Sequence, residues 1–282
     1  MEIYETISEL RKNKGKSIKD ITSNNISKSS YNRYINGFSD IHSKSFIELL
    51  HRLHITLSEL EYINNGYTPN NEVVFMRKII SSFKKNDLPY LKHLQKTCKV
   101  NCDKNDFYMH MLGLCELLIA RTNKIEPDIN NNCLYKYLIS TNTWTNYEFL
   151  LFSNSLFYWS PITLDAILTS VSSRLSNLDS LNSYGLESVR ILSNAIISFI
   201  YHREYGKALK YIDTLESIYI SEEFVFEKLT LKFMQGIKLK LLNYPSEYYS
   251  NIFENILLVL DILELNDIKK MYVTIINDFI NK

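Results

Sequence analysis

Near the start of the chain, Ser17, Lys19, Ser27, Lys28, Ser29, Asn32 and Arg33 bring together side chains suited to one kind of chemistry. An Asn amide matches the N6/N7 edge of adenine, and an Arg guanidinium matches guanine or a phosphate. Lysine and serine add phosphate contacts. Ser17 and Ser27 stand where helices begin, so unpaired backbone N–H groups favour an anion there too. Charge agrees with this reading. Between Leu10 and Lys44 lie Arg11, Lys12, Lys14, Lys16, Lys19, Lys28, Arg33 and Lys44 against only Asp20 and Asp40, although the whole 282-residue chain carries a net charge of +1. A basic patch on a near-neutral chain is the electrostatic footprint of a nucleic-acid contact, with a solvated lysine-rich face as the plain alternative.

Other spacings lead to no catalytic or metal chemistry. His51-x-x-His54 shares a helical face but has no third ligand beside it, and Cys98 and Cys102 with His93 form an equally weak cluster. The four cysteines, Cys98, Cys102, Cys115 and Cys133, show no paired framework and read as reduced thiols, mostly in the core. No two of the seven glycines fall at a G-x-G spacing, and no G-x-S-x-G, H-E-x-x-H or paired-carboxylate motif occurs. Neither an enzyme nor a cofactor is expected. The polar stripe Lys228, Lys232 and Gln235 reads as a solvated face. The acidic start of the chain lacks a signal-peptide apolar region, and the apolar run Ile256–Leu260 is too short to span a bilayer. A cytoplasmic protein with no membrane partner is expected.

The elements that would hold the first group of residues follow from periodicity. Ile3, Ile7 and Leu10 recur at helical spacing up to a stop at Lys14-Gly15. Ser17 caps a short second helix that buries Ile18 and Ile21, and Asn24-Asn25 makes the turn. Ser27 caps a third helix ending near Gly37. Its Tyr31, Tyr34 and Ile35 point inward and leave Lys28, Ser29, Asn32 and Arg33 outside. Ser45-x-x-Glu48 and Thr56-x-x-Glu59 read as capping boxes opening two more helices, the last closing at Gly66. Five short helices with a tight turn between the second and third form a lambda-repressor-like helix-turn-helix layout, in which the third helix enters the major groove.

The stretch Ile26-Ser27-Lys28-Ser29-Ser30-Tyr31-Asn32-Arg33-Tyr34-Ile35-Asn36-Gly37, then Ser39-Asp40-Ile41 and Phe46-Ile47-Glu48-Leu49-Leu50, resembles the Rgg family of Gram-positive quorum-sensing regulators. Three positions depart from the family pattern. Asn32 stands where a Ser is usual, and Ile35 where a Glu is usual. Ile18 occupies the place of a Gln that contacts DNA in many such domains. In the second half, Trp144-Thr145-Asn146-Tyr147-Glu148-Phe149-Leu150-Leu151-Phe152-Ser153-Asn154 resembles the family's W-x-x-Y-E-L-x-L-F-x-N, and Leu192-Ser193-Asn194-Ala195-Ile196 its L-x-N-A-I. The resemblance implies a transcription regulator acting as a homodimer on double-stranded DNA, answering to a short, hydrophobic, secreted and re-imported peptide, with RNA polymerase as a further partner.

The expected fold class is all-α. Residues 1–66 form the helix-turn-helix domain, 67–71 a short link, and 72–282 a tetratricopeptide-like α-superhelical repeat domain for peptide binding and dimerisation. From Gly66 onward 23 basic residues balance 23 acidic ones. Helical periodicity predicts helices over 71–86, 88–98, 104–122, 129–140, 143–158, 162–179, 184–202, 204–218, 222–242, 246–263 and 266–280, paired with a period near that of tetratricopeptide repeats. Tyr205-Gly206-Lys207-Ala208-Leu209 offers small residues for a close helix approach. Tyr147, Leu151 and Asn154 share one helical face, and Arg190, Asn194, Ile197 and Tyr201 another. Asn amides on such a wall can hold a peptide backbone, and Arg a carboxylate. Ordinary interhelix hydrogen bonds are the competing reading for each. The apolar stretches around Ile256–Leu265 and Met271–Ile280 are candidate dimer surfaces. A regulator controlled by a partner protein, and a scaffold that binds no DNA, remain as alternatives.

Overall fold

In the computed structural model, residues 2–22, 25–179 and 187–280 are described. Asn24, half of the expected turn, and the expected helix start at 184 lie outside them. The chain is all-α, a helix-turn-helix domain followed by a helical repeat domain. It divides into two compact units, Met1–Ser81 and Ser82–Lys282, with the division falling inside the helix that follows the expected link.

The first unit holds α1 (Ile3–Asn13), α2 (Ile18–Ile21), α3 (Lys28–Ile35), α4 (Ser43–Leu53), α5 (Leu57–Asn64) and the start of α6 (Asn71–Lys84). Its core is one cluster of Ile7, Ile21, Ile26, Tyr31, Leu49, Leu53 and Leu60, all fully buried. Of Ile3, Ile7 and Leu10, which recur at helical spacing, Ile7 is fully buried, whereas Ile3, the first residue of α1, is exposed. Ser17 caps α2 by accepting from Asp20 N, and Asp20 reciprocates by accepting from Ser17 N at 2.7 Å. Thr56 and Glu59 form the expected capping box of α5.

The Ser45–Glu48 capping box does not form. α4 begins three residues earlier, with His42 and not Ser45 at its N-cap position, and Ser45 is buried. Its hydroxyl donates to Asn25 O at 2.9 Å, while Asn25 Nδ2 donates to Glu48 Oε2 at 2.9 Å. The two residues therefore clamp the turn before α3 onto α4. Glu48 also pairs with Arg52 at 3.1 Å, one helical turn away. A carboxylate thus braces this domain from α4, although Ile35 has replaced the one usual on α3.

The second unit continues with α7 (Leu88–Asn101), α8 (Asp106–Asn123), α9 (Cys133–Ser140), α10 (Asn146–Ser155), α11 (Pro161–Asp179), α12 (Glu187–Tyr201), α13 (Tyr205–Glu216), α14 (Val225–Leu241), α15 (Ser246–Ile262) and α16 (Asn266–Ile275), then a π turn over Ile276–Ile280. Successive helices pack as neighbours, most extensively α7 on α8, α12 on α13 and α14 on α15. The sequence motif around Trp144 turns out to be core. Trp144 lies edge-on to Phe149 and Phe152 at 5.3 and 5.2 Å, and Phe152 edge-on to Trp159 at 5.0 Å. Leu151 is fully buried with them and does not face a wall.

Close helix approach occurs at glycines other than the expected one. A Cβ at Gly113 on α8 would sit 2.7 Å from Leu134 N and Cβ at the start of α9, and one at Gly236 on α14 would sit 2.7 Å from the Phe253 ring on α15. Gly206 has nothing within 4 Å of that position, so the small residue that matters on α13 is Ala208, which is fully buried. Several helices end on a left-handed residue other than glycine, among them His54, Lys124 and Asn243. The scarcity of glycine therefore does not imply a scarcity of helix stops.

Candidate functional site

Two groups of residues carry the candidate chemistry, one in each unit. In the first unit, Tyr31 and Tyr34 bury one face of α3, and Tyr4 packs edge-on to Tyr34 at 6.3 Å. Burial is the largest reason the Tyr34 hydroxyl is pushed up to about 12. The opposite face leaves Lys28, Ser29 and Arg33 exposed and Asn32 half-buried. Ser27 caps the helix through Ser30 N at 3.1 Å, and its hydroxyl lies 3.0 Å from that of Ser29. The side chains of Lys28 and Arg33 make no ion pair or hydrogen bond among the described residues. Lys19 is exposed on α2, beside Asp20.

The basic patch separates into two roles. Lys14 Nζ donates to Leu53 O at 2.7 Å and to His54 O, Lys16 Nζ donates to Arg52 O, and Arg11 donates to Lys16 O at 2.6 Å. Lys14 and Lys16 thus cap the carbonyl end of α4, where a cation also offsets the helix dipole. They hold the fold, while Lys19, Lys28 and Arg33 are available to a ligand.

In the second unit the predicted wall residues all have partners within the chain. The Tyr147 hydroxyl is 2.9 Å from His110 Nδ1, and the His110 ring stacks on Tyr137 at 3.8 Å. Tyr137 donates to Glu148 Oε1 at 2.5 Å, and the other Glu148 oxygen accepts from Thr145 N at 2.7 Å. Burial raises the Glu148 pKa, but these hydrogen bonds outweigh it and hold the carboxyl below its usual value. Asn154 Nδ2 donates to Leu150 O on its own helix, and Asn194 Nδ2 donates to Ser153 O at 3.2 Å, joining α12 to α10. Asn154 and Asn194 are therefore neighbours. Arg190 pairs with Glu187 one turn away and is exposed. Tyr201 is 55% exposed and donates to Asp278 at 3.1 Å. Eleven residues at 1.5 Å rise separate Arg190 from Tyr201 by about 16 Å, so one small group cannot touch both.

A residue absent from the sequence reading completes this picture. Arg121, in the last turn of α8, places its guanidinium carbon 3.6 Å from the Phe157 ring centroid and 5.5 Å from that of Phe83. It makes no ion pair or hydrogen bond among the described residues. Its side chain is exposed by area, yet crowding by neighbouring atoms lowers its pKa, against the favourable pull of Tyr158 and Tyr201. A signal was present in the sequence. Arg121 continues the stripe Leu114, Leu117 and Leu118, all of which are buried. It stands in the last turn of α8, where a cation also offsets the helix dipole.

Among the described residues, no group of three or more His, Cys, Asp or Glu is placed to hold a metal ion. The four cysteines are free thiols, Cys98 and Cys115 buried. No helix of the described residues is long and apolar enough to cross a membrane.

Comparison with known proteins agrees with this architecture. The fold is similar to that of a presumed transcriptional regulator from Listeria monocytogenes EGD-e, with a TM-score of 0.79, 19% identity, and coverage of 99% of this chain and 97% of that one. The Streptococcus dysgalactiae SHP pheromone receptor Rgg2, as its C45S variant, matches with a TM-score of 0.73 at 17% identity over 97% and 98% of the two chains. PrgX in its complex with cCF10 matches with a TM-score of 0.72 at 19% identity over 98% and 92%. Residues 91–274 match the family model for the C-terminal domain of the HTH-type transcriptional regulator Rgg. With that match spanning more than half of its length, the chain belongs to the Rgg family of HTH-type transcriptional regulators.

Proposed function

We propose that this regulator works in the cytoplasm as a homodimer that binds operator DNA through α3 and responds to a short hydrophobic peptide held by its repeat domain. In this reading residues 1–66 read DNA, 67–71 link, and 72–282 bind peptide and dimerise. The observation that carries the DNA half is the outer face of α3. Lys28, Ser29 and Arg33 are exposed there, on a helix fixed from behind by Tyr31 and Tyr34. These two cations, which make no hydrogen bond among the described residues, are poised for phosphates or guanine, and half-buried Asn32 for an adenine edge. Ser17 and Ser27 place two helix N-termini, with Lys19 between them, for backbone phosphates.

The peptide half is supported by family membership and by structural neighbours, one of which is a bacterial peptide pheromone/receptor complex. Among the wall residues, Tyr201 is the most accessible, with Asn154 and Asn194 half-buried beside each other. Tyr147 and Arg190 would have to leave present partners to join a ligand. Dimerisation is supported by the apolar residues that α15 and α16 leave exposed. Leu258, Ile262, Leu263 and Met271 are each about half exposed or more, whereas Ile256 and Leu260 fill the core. RNA polymerase is a further partner in this reading, approached from the operator-bound dimer. The test is duplex binding to the DNA upstream of the regulator's own gene and its neighbours, titrated with and without peptide. Affinity that falls steeply with salt and shifts with peptide supports the proposal.

A further inference from the structure

We infer that Arg121 is the anion-holding group of the ligand site, receiving a carboxylate of the bound peptide between the Phe157 ring and the tyrosines Tyr158 and Tyr201. This inference rests on the reading that the repeat domain binds a peptide, and it names the chemistry by which the peptide is held.

Three observations lead to it. The first is unused capacity. Arg121 carries five N–H donors, and none meets a carbonyl or carboxylate among the described residues. Arg190, Lys207, Lys210, Lys238 and Lys269 in the same unit pair with acids, whereas Arg121 has no acid partner among the described residues. The second is orientation. At 3.6 Å over the Phe157 ring, the guanidinium is held by cation–π attraction, which uses its face and leaves the N–H edges free for a bidentate acceptor. The third is surroundings. Tyr158 donates to Ile125 O at 3.4 Å and Tyr201 to Asp278, so the two hydroxyls bordering the cation face other acceptors and do not consume it. In the last turn of α8 the charge also offsets the helix dipole, so it is the seat over the Phe157 ring with free N–H edges, and not the charge alone, that points to a ligand. An exposed guanidinium laid on an aromatic ring, with no acid partner among the described residues, is open to a carboxylate ligand.

The carboxylate has two sources, the peptide's C-terminus or an Asp or Glu side chain within it. Four pools of octapeptides built from Leu, Ile, Val, Phe and Gly separate them: C-terminal acid or amide, each with or without one internal Asp. Peptides retained by the full-length protein after gel filtration are identified by mass spectrometry, and the best-retained one is titrated by calorimetry. The wild type is expected to retain acid-bearing pools over the amide pool lacking Asp, and the preferred arm names the source. Arg121→Met should weaken the best carboxylate peptide by about tenfold or more, the size of one lost charge-assisted pair, and erase the preference for acid. Arg121→Lys, which keeps the charge but not the fork, should fall between and shows that a loss is not a folding failure. If all four pools bind alike and Arg121→Met retains them equally, the inference is overturned while peptide binding stands. If the wild type retains no pool, the peptide reading fails and takes this inference with it.

Discussion

Alanine substitution at three helix glycines of the repeat domain should give three different outcomes, because the same added methyl meets three different surroundings. In an open helix, Gly→Ala stabilises by up to about 1 kcal/mol through backbone entropy and propensity. Gly206 on α13 is exposed with nothing within 4 Å of a Cβ, so Gly206→Ala should gain about 0.5–1 kcal/mol. At Gly113 the new methyl lies 2.7 Å from Leu134 N and Cβ and 2.9 Å from Cys133 Sγ. Two of those atoms belong to α9 itself and not to a movable side-chain tip. The helix junction is further fixed by the buried Asn132, whose Nδ2 donates to Gly113 O at 3.0 Å. Relief therefore requires shifting a helix. Overpacking costs about 1–3 kcal/mol, and the upper part of that range less the helix gain leaves a net loss of about 1–2 kcal/mol. Gly236→Ala meets the Phe253 ring at 2.7 Å, and a ring can rotate or slide, so its effect should fall between the other two. Urea unfolding followed by far-UV circular dichroism, with the repeat-domain transition fitted separately, measures all three. A stabilised Gly113→Ala, or equal effects at Gly113 and Gly206, would refute the close-approach reasoning.

The division of the basic patch predicts opposite phenotypes for two cations. Arg33→Ala should weaken operator binding by about 1–3 kcal/mol and leave stability within about 0.5 kcal/mol. Lys14→Met should instead cost about 1 kcal/mol of first-unit stability, by uncapping the α4 carbonyls, and alter operator affinity little. Anisotropy titration and chemical unfolding of both variants check the pair. His110 predicts a pH dependence. Burial holds its pKa below the ordinary value of 6.5, against the pull of Asp106 and Glu148. Between the folded pKa and about 6.5 the unfolded chain binds the extra proton, so stability is full above that window and declines as pH falls through it. The repeat-domain urea midpoint should therefore drop from pH 7.5 to 5.5, and drop less in His110→Phe. An equal drop in both proteins would assign the effect to other groups.

Much of the architecture was legible because local signals and packing agreed. Ser17, Ser27 and Thr56 cap the helices their spacing predicts, and Tyr31 and Tyr34 turn inward as their periodicity requires. The misreadings share a cause: a local pattern was given a local partner when the fold had recruited it over a distance. Ser45 and Glu48 have capping-box spacing, yet they hold Asn25, some twenty residues earlier in sequence. Gly206 and Ala208 looked like one small-residue surface, but only Ala208 lies at a helix contact. Lys14 and Lys16 counted toward the basic patch because net charge cannot distinguish a cation spent on a helix end from one left free. The residues of the second unit were the least legible. Asn154 and Asn194 share neighbouring positions, but Arg121 meets Phe157 and Phe83 only through tertiary packing that sequence spacing does not reveal.

The central claim is that peptide and DNA are linked through one molecule, and it can be measured directly. Fluorescence anisotropy of the full-length protein on its operator duplex, at fixed salt, is recorded without peptide and with the best-retained octapeptide at saturation. Coupling of about 1–3 kcal/mol predicts that operator affinity changes by roughly fivefold to a hundredfold, with a reciprocal change in peptide affinity. An operator affinity that stays the same at saturating peptide would contradict the account.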